Sequence, residues 1–447
     1  MRVLHHWTYA VLAALLSGWS PLHAQDLLQV YALAKQHDPV IREVRERLLA
    51  ALESKPQARA LLLPKLSASG GYDLVHDDVK KPSLLKGSEG YDKYNAQLGV
   101  NQPIYHRDYW IRQDQADDTI AQAEAELKNA EIGLMVRTAT AYFNILAAAD
   151  ELRVRRAEKE ANASQLDQAR QRFEVGLVAI TDVHESKAAY DGAVAAEIAA
   201  ENALSDRWED LRKIIGNSKE PLAKLGDEMP LKKPTPNDIE AWAKTALSKN
   251  YGIIAARHAT ALARKNIEVE RSGHYPTLDL VGSYGRVNSN AGLGSERDEG
   301  LIGVQLNLSL YEGGAVTSRT RQAQHEFQAA QDQLDQRRRE VNRQVRSAFR
   351  GVISTISRVE ALKSTMISFQ SALESTQAGL EVGTRTMVDV LTVTRSLYQA
   401  QSDYARSRYD YIINTLQLHQ AASTLSEEGL ARANAWLLPD DTVAPPF

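Results

Sequence analysis

Two carboxylates, Asp182 and Asp389, close a pair of matching stretches, Val175-Gly-Leu-Val-Ala-Ile-Thr-Asp182 and Val382-Gly-Thr-Arg-Thr-Met-Val-Asp389. Both read Val-Gly-x-x-x-x-x-Asp, and one falls in each half of the chain. A glycine here can end a helix, because a positive φ costs it nothing. An Asp or Thr just beyond can accept from the free N–H groups that open the next helix. Each stretch is therefore a turn between two helices, and helix capping is the first role the residue types give Asp182 and Asp389. Catalysis finds no comparable footing. The chain has no cysteine, which excludes disulfides, thiolate chemistry and a lipidated N-terminal Cys. Its 11 histidines do not cluster at metal-binding spacing, and His184-Glu185 lacks the second His of a zinc motif. Gly313-Gly314 carries no phosphate-loop pattern, and no nucleophile stands with a plausible base. No metal or cofactor is expected, and the chain is not read as an enzyme.

The elements that must hold these turns are unusually long helices. No proline interrupts residues 107–172, a stretch of roughly 100 Å at about 1.5 Å per residue; residues 313–380 are similar. Apolar positions recur every seven residues: Ile120, Leu127, Leu134, Ala141 and Ala148, then Phe327, Leu334, Val341 and Ala348, then Leu397, Tyr404, Tyr411, Leu418 and Leu425. That spacing implies supercoiled helices. A helix of this length does not fold back into a globule, so it must be a tube wall, a stalk or a fibre. Shorter helical patterns cover 25–61, with breaks near Pro39 and Pro56, and 239–271. Four prolines mark 216–238 as a linker, and 426–447, ending Ala-Pro-Pro-Phe, reads as a weakly ordered tail.

Between the first helices and the long ones the period changes from 3.6 to 2. Leu66, Ala68, Gly70, Tyr72 and Leu74 alternate with Ser67, Ser69, Gly71 and Asp73. After a polar connection at 76–93, Tyr94, Ala96, Leu98 and Val100 alternate with Asn95, Gln97, Gly99 and Asn101. The second half repeats this with Leu278, Leu280, Gly282 and Tyr284, a loop at 287–300, and Ile302, Val304, Leu306, Leu308 and Leu310. An apolar face opposite a face of Ser, Asn, Gln and Gly is the pattern of an outer-membrane barrel, although a soluble sheet with one wet face alternates too. A secretory leader at 1–24 favours the barrel: Arg2, a short apolar run at 11–16, and Leu22-His-Ala24 as a cleavage site. No later run of about 18 apolar residues suits a membrane helix, so a membrane crossing falls to the strands. Four strands cannot close a barrel, and lipid does not tolerate an open edge; two chains would give eight strands and an interior filled by side chains, three would give twelve and room for a pore.

Composition agrees with helical packing. The 447 residues are 43% hydrophobic but only 6% aromatic, which is aliphatic and alanine-rich. The net charge of −4, with both signs interspersed, gives a nucleic-acid partner no support.

Several short motifs coincide along this framework: Leu27-Leu-Gln-Val-Tyr31, Leu62-Leu-Pro64, Thr138-Ala-Thr-Ala-Tyr-Phe-Asn144, Arg172-Phe173, Gly273-His-Tyr-Pro-Thr-Leu-Asp-Leu280, Tyr311-Glu-Gly-Gly314 and the two Val-Gly turns. With them the sequence resembles the TolC family of trimeric outer-membrane channel-tunnels of Gram-negative bacteria, which includes outer membrane efflux proteins and type I secretion outer membrane proteins. The resemblance implies a mainly α fold with a β-barrel: a homotrimer with a 12-stranded barrel in outer-membrane lipid and an α-helical barrel across the periplasm. It implies a twofold internal repeat, with 25–215 as the first copy, 216–238 as a linker in an equatorial band, 239–425 as the second copy and 426–447 as a tail. It also implies docking onto a periplasmic adaptor (a membrane fusion protein) joined to an inner-membrane ABC, RND or MFS transporter. The conduit would export drugs or, in type I secretion, unfolded polypeptides. A periplasmic coiled-coil scaffold without a pore is the alternative.

The same resemblance places a gate at the turns. Thr181 and Asp182 match residues that link to the Arg matched by Arg385 and to a Tyr. Asp389 matches the upper of two aspartate rings. Three carboxylates on a threefold axis would favour cations and raise one another's pKa values. Two departures stand out: the second ring falls on Thr392 and the linking Tyr on Leu380. Cation block should be weaker for it, with Arg395 diluting the field further, and the closing network should lose a hydrogen bond worth ~0.5–1.5 kcal/mol. Val175, Gly176, Leu177, Val382, Gly383 and Thr384 would dock an adaptor's helical hairpins, unless they are buried within the tip itself.

Overall fold

The computed structural model of the chain describes residues 24–79, 87–218, 220–227, 229–290 and 294–446. The secretory leader expected at 1–24 lies outside them, Ala24 excepted. Helices α1 (Leu27–His37), α2 (Pro39–Leu52) and α3 (Ser54–Ala60) lead into strands β1 (Lys65–Val79) and β2 (Gly87–Tyr105), helices α4 (Arg107–Glu174) and α5 (Ile180–Ile215) and the short β3 (Leu222–Leu225). The second half runs through α6 (Ile239–Lys249), α7 (Tyr251–Arg271), β4 (Thr277–Ser289), β5 (Ser295–Asn307), α8 (Ala315–Glu381) and α9 (Met387–Ala421) to α10 (Glu427–Asn434) and β6 (Leu437–Val443). The chain divides into two compact units, one of 1–44, 127–251 and 338–447, the other of 45–126 and 252–337.

The second unit holds a four-stranded antiparallel sheet in the order β1-β2-β4-β5. Its register lines the apolar set along one face, with Leu66 opposite Val100, Val100 opposite Gly282 and Gly282 opposite Ile302. Among the described residues nothing covers that face: Leu66 is 84% exposed, Ile302 83% and Leu98 63%. The other face carries Ser67, Ser69, Asn95, Gln97 and Gln305, with Val281, Val287 and Leu301 among them. The strands outrun their alternation. Pairing continues from Lys65↔Asn101 to Val79↔Gly87 and from Thr277↔Asn307 to Ser289↔Ser295, because ladder hydrogen bonds do not depend on side-chain polarity. The connections expected at 76–93 and 287–300 are correspondingly shorter, and Leu308 and Leu310 fall beyond β5.

The first unit is a helical layer closed by a small second sheet. Tyr142, Phe143, Ile145 and Leu146 of α4 pack with Trp208 and Leu211 of α5 and Leu27 of α1, each at most 1% exposed. The tail expected to be weakly ordered is instead built in. Ser426 accepts from Gly429 N–H to start α10, Leu430 is fully buried, and β6 pairs antiparallel with β3 from Leu222↔Val443 to Leu225↔Leu437. Gln25 joins the same strand, donating its N–H to Pro221 O at 2.7 Å and accepting from Ala223 N–H at 3.1 Å. Tyr142 Oη donates to Ala223 O at 2.7 Å and locks this seam to α4. The start of the chain, its linker and its tail thus share one layer, by pairing between distant segments that no local pattern announces.

The helical pattern over 25–61 breaks before Pro39 and again at Glu53, three residues before Pro56. Asp38, before Pro39, is extended (φ −61°, ψ 119°), the conformation a following proline imposes. Its carboxylate, 2% exposed, accepts from Ile41 N–H at 2.7 Å and faces Arg137 at 3.2 Å. The helix expected over 239–271 breaks at Asn250, whose Nδ2 donates to Ala421 O at 3.1 Å. The sevenfold stripe is partly core: Leu134, Val341, Leu397, Tyr411 and Leu418 are buried, while Ile120, Leu127, Phe327 and Tyr404 are half-buried. Helix α4 contains an 18-residue window apolar enough for a membrane span by length and composition, but 67% of that window is buried inside the fold, as in a core helix.

Candidate functional site: two capped turns

Both Val-Gly turns lie in the helical unit. Gly176 (φ +78°) follows α4 and Gly383 (φ +79°) follows α8. At the first, Gly176 N–H donates to Phe173 O at 2.9 Å and Leu177 N–H to Arg172 O at 2.8 Å. At the second, Gly383 N–H donates to Leu380 O at 3.3 Å and Thr384 N–H to Gly379 O at 2.8 Å. This is the Schellman closure, twice, and it needs a left-handed residue at the glycine. An L side chain there costs about 1–2 kcal/mol. Gly383→Ala is therefore expected to speed exchange of the Thr384 amide about tenfold, since ~1.4 kcal/mol is a factor of ten; unchanged exchange would remove the conformational role of the glycine.

Beyond the glycines the turns diverge. Thr386 is the N-cap of α9; its Oγ1 accepts from Asp389 N–H at 3.2 Å. In return Asp389 Oδ2 accepts from Thr386 N–H and from Thr386 Oγ1, both at 2.9 Å. Asp389 thus closes a reciprocal capping box from three residues inside. In α5 the equivalent N-cap is Ala179, which has no side-chain acceptor, and no side-chain cap forms. The capping expected of Asp182 is not made: it sits in the first turn, its N–H bonded to Ala179 O at 3.1 Å, where its charge only complements the helix dipole.

The hydrogen bonds from the Thr386 amide and hydroxyl, with help from the Arg385 charge, hold the Asp389 carboxyl below its ordinary range. Within one chain this is the reverse of what converging carboxylates would impose. A carboxyl depressed on folding adds stability that is present above its unfolded pKa near 4 and lost as pH falls through the lower folded value. Acidifying below pH ~4 should therefore loosen the first turn of α9, seen as faster exchange of the Asp389 amide, and Asp389→Asn should abolish that pH dependence. An equal acid response in the variant would show that another group is responsible.

Arg385 acts on Asp389 through its charge, and among the described residues no ion pair or hydrogen bond joins the two. Arg385 is exposed and lies over Gly379, where an added Cβ would meet its Cγ. Thr181 is exposed, and among the described residues no hydrogen bond joins Thr181 or Asp182 to Arg385. Thr392 is exposed and its Oγ1 donates to Val388 O at 2.8 Å, while Leu380 is half-buried. None of the six turn residues expected to dock an adaptor is buried within the chain; Val175, Leu177 and Val382 are each at least 70% exposed.

A set of polar links that the sequence does not announce ties α4 to α9 behind the turns. Buried Gln165 Nε2 donates to buried Thr394 Oγ1 at 3.0 Å, Arg155 donates to Gln399 Oε1 at 3.2 Å, and Tyr409 Oη donates to Asp150 Oδ2 at 2.7 Å. The only local signal is a polar residue at a buried position, which does not name its partner.

Long helical hairpins with exposed apolar turns, joined in sequence to a sheet with one bare apolar face, define the chain as a helical-hairpin outer-membrane channel protein. The family model for outer membrane efflux proteins matches residues 30–217 and 242–424. The chain belongs to that family. It is 39% identical over 432 residues to the outer membrane protein TolC of Vibrio cholerae serotype O1, covering 96% of this chain and 97% of that one. It is 28% identical to the alkaline protease secretion protein AprF of Pseudomonas aeruginosa, covering 99% of this chain and 93% of that one. The crystal structure of the Campylobacter jejuni CmeC outer membrane channel shares the fold, with a TM-score of 0.79 over 95% of each chain at 14% identity.

Proposed function

We propose that the protein is an outer-membrane channel for efflux and type I protein secretion, a passive gated conduit built from three copies of this chain. The carrying observation is the sheet, which has an apolar face open to its surroundings and free edges on β1 and β5. In lipid both edges must be paired. Three copies joined edge to edge give twelve strands and a water-filled interior lined by the Ser, Asn and Gln face. The 68 residues of α4 and the 67 of α8, each about 100 Å long, would form the wall of a periplasmic helical barrel. Two separate matches to one family model support a twofold repeat of 25–215 and 239–425.

In this reading the leader at 1–24 exports the chain. The exposed turns 175–177 and 382–384 dock a periplasmic adaptor, and an inner-membrane ABC, RND or MFS transporter supplies the energy. The gate lies at Asp389 and Arg385, with Thr181 and Asp182 on the neighbouring turn. Thr392 leaves the constriction with a single carboxylate ring, and Leu380 leaves its closing network with one link fewer.

Light scattering on the purified, leaderless protein tests the assembly. A detergent-dependent particle of three chains is expected. A monodisperse particle that needs no detergent would favour the scaffold and end the channel reading.

A further inference from the structure

We propose that the helical unit carries a binding site for a small organic anion with an apolar body, an aryl or alkyl carboxylate being the simplest case. The site is a cavity of about 520 Å³ between the 230–235 segment, α9, α10 and the residues just before β6, with Val352 of α8 at its floor. That volume lies within the range of ligand pockets, roughly 300–1,000 Å³. Its apolar wall comes from Val352, Ile412, Leu416 and Trp436, and its rim carries Lys232, Lys233 and Arg432. Among the described residues no carboxylate lines it and none pairs with those three cations. The cavity thus gathers three cations around an apolar wall with no carboxylate in its lining.

The wall is preorganised. Tyr411 Oη accepts from Lys232 N–H and donates to Lys232 O, both at 2.9 Å, and Trp242 Nε1 donates to Pro236 O at 2.8 Å. These bonds pin the lysine-bearing segment to α9 and α6, so a ligand does not have to order it. His419 lines the same cavity and stacks edge-on with Trp242 at 5.2 Å. Burial, and then the Arg432 guanidinium, hold its imidazole below the usual range, as positive surroundings without a counter-ion would. An anionic head placed among the three cations would supply the missing negative charge, and its apolar body would fill the Val352–Trp436 side. A free inorganic anion would satisfy the rim and leave the apolar wall in water.

The test uses the full mature protein in nanodiscs of neutral phosphatidylcholine, titrated by calorimetry with 2-naphthoate, 2-naphthalenemethanol and inorganic phosphate. Saturable binding of one naphthoate per chain is expected, with the neutral alcohol and phosphate each at least tenfold weaker. The exposed pair Lys232→Gln with Lys233→Gln should weaken naphthoate at least tenfold, and Arg432→Gln should do so independently. Lys213→Gln, outside the cavity, should not. Absence of saturable naphthoate binding, equal binding of the alcohol, or undiminished binding to both rim variants would overturn the site.

Discussion

Val304→Arg is expected to destabilise the membrane-inserted protein by about 2–4 kcal/mol per chain, the cost of a cation on the lipid side of a barrel near its midplane. Val304 is 63% exposed on the apolar face of β5, at the centre of the apolar run Ile302, Val304 and Leu306, and pairs with Leu280. Gln305→Arg, one residue along, turns its side chain to the opposite face, where water solvates the charge. Urea unfolding of both variants in bilayers, followed by tryptophan fluorescence, separates the two faces. Equal losses would mean that the apolar face does not meet lipid. The comparison is direct because neighbouring residues of one strand differ only in the face they present.

A comparable loss is expected from the helical unit. Phe143 is fully buried, edge-on to Tyr142 at 5.5 Å and 6.3 Å from the ring of Tyr409. Phe143→Ala removes that packing and leaves a cavity, a change that costs about 3–5 kcal/mol. Tyr142→Phe keeps the ring but leaves Ala223 O and Gln25 O without the hydroxyl they share, for about 1–3 kcal/mol. Denaturant midpoints at fixed protein concentration measure both. A loss below 1 kcal/mol for Phe143→Ala would show that this seam is not the core of the unit. Because β3, β6 and residue 25 meet at Tyr142, its variant should also loosen the tail, seen as faster exchange of β6 amides.

What the sequence reveals follows from how local each signal is. Alternation in 66–74, 94–100, 278–284 and 302–306 is a two-residue pattern, so the strands and their apolar face are legible. The strand ends are not, since pairing continues through polar residues such as Asp92 and Glu296. Pro39 announces its break, whereas Asn250 breaks a helix by bonding to a carbonyl at Ala421 that lies far along the chain. The tail is missed for the same reason, because β6 needs a partner more than 200 residues away. At the turns the glycines are legible and the caps only half so. One motif gives a closed capping box at Thr386 and an open helix start at Ala179, because a single side-chain oxygen differs. The Gln165–Thr394 link escapes altogether: each residue alone is an ordinary polar side chain.

The central claim, a gated pore with Asp389 at its constriction, is tested most directly by single-channel conductance in planar bilayers. Wild type is measured beside Asp389→Asn, which removes the charge while keeping an acceptor for Thr386. Small cation-selective openings are expected from wild type, with selectivity reduced in the variant. Wild-type openings with unaltered selectivity in the variant would leave Asp389 as a helix cap alone. A folded, inserted wild type that never conducts would contradict the channel itself.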